Sequence, residues 1–413
     1  MITGEAENVL LNDILDDNPE VEEAIAELIR RVARMPASDL FLTAEADTVV
    51  ISVRYLGILK RLGTVSPELG HHFINSIKAM AGMDVAQRRR PLDGRWICEL
   101  ETHKNLDLRI STIPSLYGES MAIRLLDRDI GFRELHDLGL HGQDYDELTR
   151  LLAYPSGLIL ITGPMGSGKT TTAYACIHHV NDGTRKIHTI EDPIEYSFEG
   201  ICQSQINPKM HLDFPELLRG VLRQAPDVIQ VGEIRDPVTA QTTVRAANSG
   251  SLVFATLHAP TAAAAVDSML ALGVHPHFLA TSLLGVVAQR LVRTLCNDCK
   301  VAIDIPGLFS SFDLPKPWFT MDGEAHLYSS SGCDNCHLEG YASRTGVFEV
   351  LRVTRNIRQM ILAECSVTEI HSKAVEEGMR ELRASAMLKV AEGVTSMEEI
   401  VRMIPGDEML SRR

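Results

Sequence analysis

Gly163-Pro164-Met165-Gly166-Ser167-Gly168-Lys169-Thr170 fits G-x-x-x-x-G-K-[ST], a loop built to hold phosphate. Its glycines let backbone N–H groups turn inward around an anion. Lys169 supplies a cation for the β- and γ-phosphates, and the Thr170 hydroxyl can ligand Mg²⁺, with Thr171 following at the helix start. Val228 to Glu233 is an apolar run ending in Gly232-Glu233. A second strand that delivers an acidic residue beside such a loop is the partner this chemistry needs, and Glu233 fits it. Thr189 to Tyr196 adds Glu191, Asp192 and Glu195 around Pro193. One of these carboxylates could orient a water and another hold a metal-bound water. On spacing alone, a charged turn stopped by Pro193 accounts for the segment as well. His258 closes Ala255-Thr256-Leu257-His258 and could hydrogen-bond a terminal phosphate, or be an ordinary polar strand end.

Cys296-Asn297-Asp298-Cys299 and Cys333-Asp334-Asn335-Cys336 form two C-x-x-C pairs with 33 residues between them. Four thiolates suit tetrahedral Zn²⁺ and leave no open position, so the expected site is structural. Cys98, Cys176, Cys202 and Cys365 fall in strand or helix patterns and read as buried apolar residues.

These groups need elements to position them. Leu158 to Ile161 reads as a buried strand before the loop and Thr171 to Val180 as the helix after it. Strands expected at 157–162, 186–190, 227–231 and 251–256 alternate with helices such as 214–224 and 236–248, the pattern of a parallel sheet with crossover helices. Asp236 before Pro237 is a strong helix start. After 262 the chain reads as mostly helical. Upstream, Val21, Ala24, Ile25, Leu28, Ile29 and Val32 recur at helical spacing. Thr48 to Ile58 reads as paired strands and Pro67 to Ala81 as a helix. Arg95 to Leu100, Leu106 to Thr112 and Met121 to Leu126 read as strands. Arg109 and Arg124 lie on two of these and, judged locally, are surface or salt-bridge arginines.

The expected organisation is a disordered tail at 1–18, an α+β domain at 19–128 and a linker at 129–134. An α/β domain follows at 135–413, with the cysteine-bearing subdomain at about 294–345. A chain of 413 residues with 45% hydrophobic and 23% charged content has ample material for such cores. The net charge of −15 argues against a general nucleic-acid surface, so no specific nucleic acid is expected. No apolar run approaches the ~20 residues of a membrane span. The acidic start, Met1 to Glu7, lacks signal-peptide features, which together give a cytosolic expectation.

Taken in order, the phosphate loop, Thr189 to Tyr196, Val228 to Pro237 and Ala255 to Ala259 resemble the Walker A, Asp, Walker B and His boxes of the type II secretion and type IV pilus assembly ATPases. Met83 to Ala86, Arg90 to Arg95, Leu108 to Thr112, Tyr117 to Ser120 and Ile123 to Leu126 are similar to that family's first-domain signatures. Ala288 to Arg293, Gly340-Tyr341, Arg344 to Glu349, Glu376 to Arg380 and Leu388 to Gly393 continue the likeness, which covers about residues 20 to 400.

The resemblance implies a small N-terminal PAS-like α+β domain joined to a RecA-like ATPase domain. It implies a homo-hexamer binding Mg²⁺-ATP between subunits and working through an inner-membrane platform protein, with peripheral membrane association through such partners. Arg109 and Arg124 match the family's first-domain arginines that reach the nucleotide. Glu195 matches the water-activating residue, Glu233 the Walker B carboxylate and His258 the His-box histidine. Retraction motors share this core and resemble a form without the cysteine subdomain, so the assembly branch is favoured. A zinc-stabilised nucleic-acid-binding module using ATP as a ligand is the remaining alternative. The chain departs from the family at Ala225, where Asp is usual, at Ala259-Pro260-Thr261 after His258, and at Leu40 to Leu42 after Asp39. It is also expected to lack the long extra N-terminal domain of many assembly members.

Overall fold

The apolar stripe from Val21 to Val32 forms the first helix, α1 (Val21–Arg34), which buries Ala24, Ile25, Leu28, Ile29 and Val32. The computed structural model describes residues 20–99, 105–127, 133–303 and 327–404. The expected tail at 1–18 lies outside the described residues, as does the expected linker apart from 133–134. The chain divides into two compact units, Met1–Gly131 and Phe132–Arg413.

In the first unit α1 is followed by β1 (Ala37–Ala44), β2 (Val49–Tyr55), β3 (Ile58–Val65), α2 (Pro67–Met80), β4 (Leu92–Glu99), β5 (Asn105–Ser115) and β6 (Gly118–Asp127). The six strands form one antiparallel sheet in the order β3-β2-β1-β6-β5-β4. The span 48–58 therefore holds one strand and its turn rather than a strand pair. Leu56 and Gly57 adopt φ of 47° and 88°, which closes the β2–β3 hairpin. Pairing β2 to its other neighbour is β1, whose mixed composition hid it. Ser66 caps α2 by accepting from the Leu69 N–H, with Pro67 at the first helical position.

The second unit runs α3 (Gly142–Leu152), β7 (Gly157–Thr162), α4 (Lys169–Val180), β8 (Ile187–Glu191), β9 (Ile201–Gln205), α5 (Phe214–Leu222), β10 (Val228–Val231), α6 (Pro237–Asn248) and β11 (Leu252–Leu257). It continues with α7 (Ala262–Ala271), α8 (Pro276–Ser282), β12 (Leu283–Leu295), β13 (Val301–Ile303), β14 (Leu327–Ser329), β15 (Tyr341–Arg352), α9 (Arg355–Leu362), α10 (Val367–Glu376), α11 (Leu382–Ala391) and α12 (Met397–Met403). Seven strands form the sheet β15-β12-β7-β11-β10-β8-β9, parallel except for β15. Alternate residues of β7 feed opposite faces. Leu158 and Leu160 join one apolar cluster, while Ile159 and Ile161 join the other.

The expectation of a mostly helical chain after 262 is corrected by β12 and β15, the long strands that form one edge of this sheet. Leu283 to Ala288 is almost wholly buried, so its apolar run carries no period that separates strand from helix. Cys202 is corrected too. It stands exposed on the edge strand β9, whereas Cys176 is buried. Among the described residues no helix is long and apolar enough to cross a membrane.

Candidate nucleotide site and tetracysteine cluster

The phosphate loop joins β7 to α4, as its sequence context requires. Gly163 and Gly168 have φ of 150° and 88°, values that a side chain resists. A Cβ on Gly163 would also lie 2.5 Å from the Gln289 carbonyl oxygen. Pro164, Met165 and Gly166 are exposed and Ser167 is buried, while Thr170 and Thr171 are exposed on the first turn of α4. The loop thus presents its backbone at a helix N-terminus, where an anion is favoured.

Three neighbouring strand ends converge on the loop. Lys169 Nζ donates to the Gly163 and Pro164 carbonyls at 2.9 and 3.0 Å and stands 3.3 Å from His258 Nδ1. His258 Nε2 lies 2.8 Å from Glu233 Oε1. His258 Nδ1 also lies 3.2 Å from the Gly163 carbonyl oxygen, so the ring bridges the phosphate loop and Glu233. Glu233 Oε2 also takes the Arg235 guanidinium at 2.5 Å, and Arg235 reaches toward Asp192 at 3.7 Å. Burial pushes the Lys169 ammonium below its ordinary value, with Glu233 opposing that shift and Arg290 adding to it.

Thr162 holds the His258 loop in place. Its hydroxyl donates to the Ala259 carbonyl at 3.0 Å and accepts the Ala259 N–H at 2.8 Å. On the other side, the Thr256 hydroxyl donates to the Gly232 carbonyl at 2.5 Å, which ties β11 to the Glu233 turn.

The three carboxylates after β8 separate in kind. Glu191 is buried and takes the Tyr174 hydroxyl, the Thr189 hydroxyl at 2.5 Å and the Gln203 amide at 3.1 Å. It is a structural anchor. Asp192 is exposed and joined to Pro193 by a cis peptide bond. Glu195 is half-buried, and its backbone N–H donates to the Tyr174 hydroxyl at 3.3 Å. Tyr174 therefore links α4 to the Glu195 segment, with its ring edge-on to Tyr196 and Phe198. Burial, with Glu191 beside it, raises the Tyr174 phenol far above its ordinary value. It stays a neutral donor.

Sequence reasoning missed Arg235, Tyr174 and Gln289. Arg235 was signalled only by standing two residues after Glu233. Tyr174 read as a core aromatic, and Gln289 lay in a stretch read as helical. Gln289 Nε2 donates to the Ser167 carbonyl at 2.7 Å.

In the first unit Arg109 and Arg124 are directly opposed across β5 and β6, and Arg95 on β4 opposes Arg109. The three arginines thus form a row on one sheet face. Arg95 is committed to Asp107 through two bonds of 2.7 Å. Arg124 lies 3.6 Å from Asp39 with its side chain 59% exposed.

The four cysteines of the C-x-x-C pairs come together, with all Sγ atoms within 4.8 Å of one another. Cys296–Cys333, Cys299–Cys336 and Cys333–Cys336 sulfurs are 3.9, 3.7 and 3.7 Å apart. A tetrahedron of thiolates around Zn²⁺ has an edge of about 3.8 Å, so the donor set fits such an ion. Burial alone would raise the Cys336 thiol. N–H groups of Cys333 and Gly340, at 3.2 and 3.1 Å, prevail and bring it down to about 7. Segment 304–326 of the expected subdomain lies outside the described residues.

Comparison with known proteins now decides the family. The family profile described as "Type II/IV secretion system protein" matches residues 15–402. The chain belongs to that family. Type II secretion system ATPase E of Vibrio cholerae serotype O1 is 38% identical over 391 residues, covering 94% of this chain and 76% of the relative. Type IV pilus assembly ATPase PilB of Acinetobacter baylyi is 36% identical over 397 residues, covering 95% and 67% respectively. The crystal structure of the pilus retraction motor PilT with bound ADP matches at a TM-score of 0.62 and 25% identity, covering 94% of this chain and 99% of that one. This family member is an ATP-hydrolysing P-loop enzyme, its second unit is RecA-like, and it carries a tetracysteine group able to bind a metal ion.

Proposed function

We propose that the protein is a cytoplasmic, homo-hexameric motor that hydrolyses Mg²⁺-ATP to drive pseudopilus or type IV pilus assembly through an inner-membrane platform protein. The line Lys169–His258–Glu233 at adjacent strand ends carries this reading, because it puts a cation, a proton-bearing imidazole and a carboxylate at the phosphate loop. Residues Gly163 to Thr171 wrap the phosphates, and Lys169 exchanges its two carbonyl partners for phosphate oxygens. Thr170 offers its hydroxyl to Mg²⁺. Glu233 serves the Mg²⁺ side and Glu195 the attacking water. His258 contacts the γ-phosphate and reports its loss to Glu233. Arg109 and Arg124 give positive charge to the transferring phosphoryl group.

The tetracysteine group supports assembly over retraction. Cys296, Cys299, Cys333 and Cys336 would hold Zn²⁺ as a closed structural site whose free energy of binding stabilises the local fold. Its use is to present a small surface to the platform protein, which is also what brings the motor to the membrane. Deleting the gene and scoring secretion, piliation and DNA uptake together tests the reading. Loss of filaments or of secretion, restored by the wild-type gene and not by a Glu233→Gln gene, supports it. Accumulated filaments would instead mark a retraction motor.

A further inference from the structure

We propose that Gln289 is a positioning residue that sets the phosphate loop for nucleotide, an inference that rests on the nucleotide reading above. β12 runs beside β7, and the last aligned pair is Ala288 with Thr162. The next residue on each strand is therefore Gln289 and Gly163. Gln289 is 1% exposed and its Nε2 donates to the Ser167 carbonyl at 2.7 Å.

That bond has a directional consequence. The Ser167–Gly168 peptide is planar and trans, so its C=O and N–H point in opposite directions. Fixing the oxygen against β12 fixes the Gly168 N–H away from β12. Gly168 is the residue that precedes Lys169, and its φ of 88° leaves this peptide plane with little other restraint from a side chain. N–H groups at this end of a phosphate loop are the ones that must face the anion.

Gln289 bears on the loop at two further points. Its Nε2 would lie 3.1 Å from a Cβ on Gly168, and its carbonyl oxygen 2.5 Å from a Cβ on Gly163. The strand thus templates both glycines that bound the loop. The other end of the amide makes no contribution to the core. Gln289 Oε1 is buried without a hydrogen-bond partner. An amide whose donor is used and whose acceptor is orphaned is better explained by the loop it holds than by core stability. An apolar isostere would lose one made bond and also remove one unsatisfied acceptor, so its effect on folding is partly cancelled.

Gln289→Met and Gln289→Leu keep much of the bulk of the side chain and remove the donor. The full chain and both variants are compared by calorimetric titration with ADP and ATP, by thermal unfolding without nucleotide, and by steady-state kinetics. Both variants are expected to bind ADP and ATP about tenfold more weakly, raise KM in proportion and keep kcat within about threefold, because a uniform binding contribution is lost. The unliganded thermal midpoint should stay close to wild type. If wild type binds ADP and both variants bind it equally well, Gln289 does not position the loop. If neither variant folds, the amide serves the core and the assignment also fails. Failure of wild type itself to bind ADP would instead overturn the nucleotide reading.

Discussion

His258 Nε2 stands 2.8 Å from Glu233 Oε1, so the end of β11 is hydrogen-bonded to the end of β10 at the mouth of the phosphate loop. Glu233 is at the same time held by Arg235 at 2.5 Å. A carboxylate fixed from two sides needs little reorganisation when charge develops beside it. Glu195 sits on the next strand-end segment, fastened through Tyr174.

Glu233→Gln and Glu195→Gln should therefore keep nucleotide affinity within a few-fold while lowering kcat by about 100-fold or more. Each change preserves shape and removes charge and basicity. Equilibrium binding and phosphate release measured on the same preparations check this. Normal turnover in both variants would exclude the two carboxylates from the chemistry.

Arg109 and Arg124 are directly opposed on neighbouring strands, and Asp39 lies 3.6 Å from Arg124. Their expected role is to serve a nucleotide held by another subunit. Arg124→Ala subunits and Lys169→Ala subunits, each inactive, should recover part of the wild-type rate when mixed under conditions of subunit exchange. Verified mixing without recovery would show that the arginine acts within its own chain.

Ala225 adopts a φ of 51°, a left-handed conformation. Asn and Asp tolerate that region better than Ala does. Ala225→Asn should raise stability by about 0.5 kcal/mol, read as a higher denaturation midpoint at unchanged slope.

Much of the site was legible because phosphate chemistry constrains local sequence tightly. The loop needs its glycines, the lysine and the following helix in one continuous run, and β7, β10 and β11 announce themselves as apolar strands ending in Gly163, Gly232 and His258. The Lys169–His258–Glu233 line follows once those three strands are neighbours. β12 and β15 were not legible, since continuous burial erases the alternation that marks a strand. That loss also hid Gln289, whose role depends on β12 lying beside β7. Glu191 and Glu195 share one segment, and only the packing of Tyr174 and Gln203 shows that Glu191 is an anchor.

The sulfur separations of 3.7 to 3.9 Å lead to a metal prediction. Purified protein, never exposed to chelator, should contain one Zn²⁺ per chain by elemental analysis. Cys333→Ser with Cys336→Ser should lose the metal and lower the thermal midpoint, while ADP affinity stays largely intact. Assembly function in cells should fall. Metal-free protein, or a double variant with normal secretion and pili, would contradict a structural zinc site.

Lys169 spends its ammonium on the Gly163 and Pro164 carbonyls and faces His258, which places it at the centre of the proposed phosphate site. Mg²⁺-dependent phosphate release from ATP, measured on wild type and on folded Lys169→Ala, is the most direct test. Wild type should turn over, and the variant should be slower by at least about 100-fold. Equal rates in the two proteins would mean that the loop is not where ATP is hydrolysed.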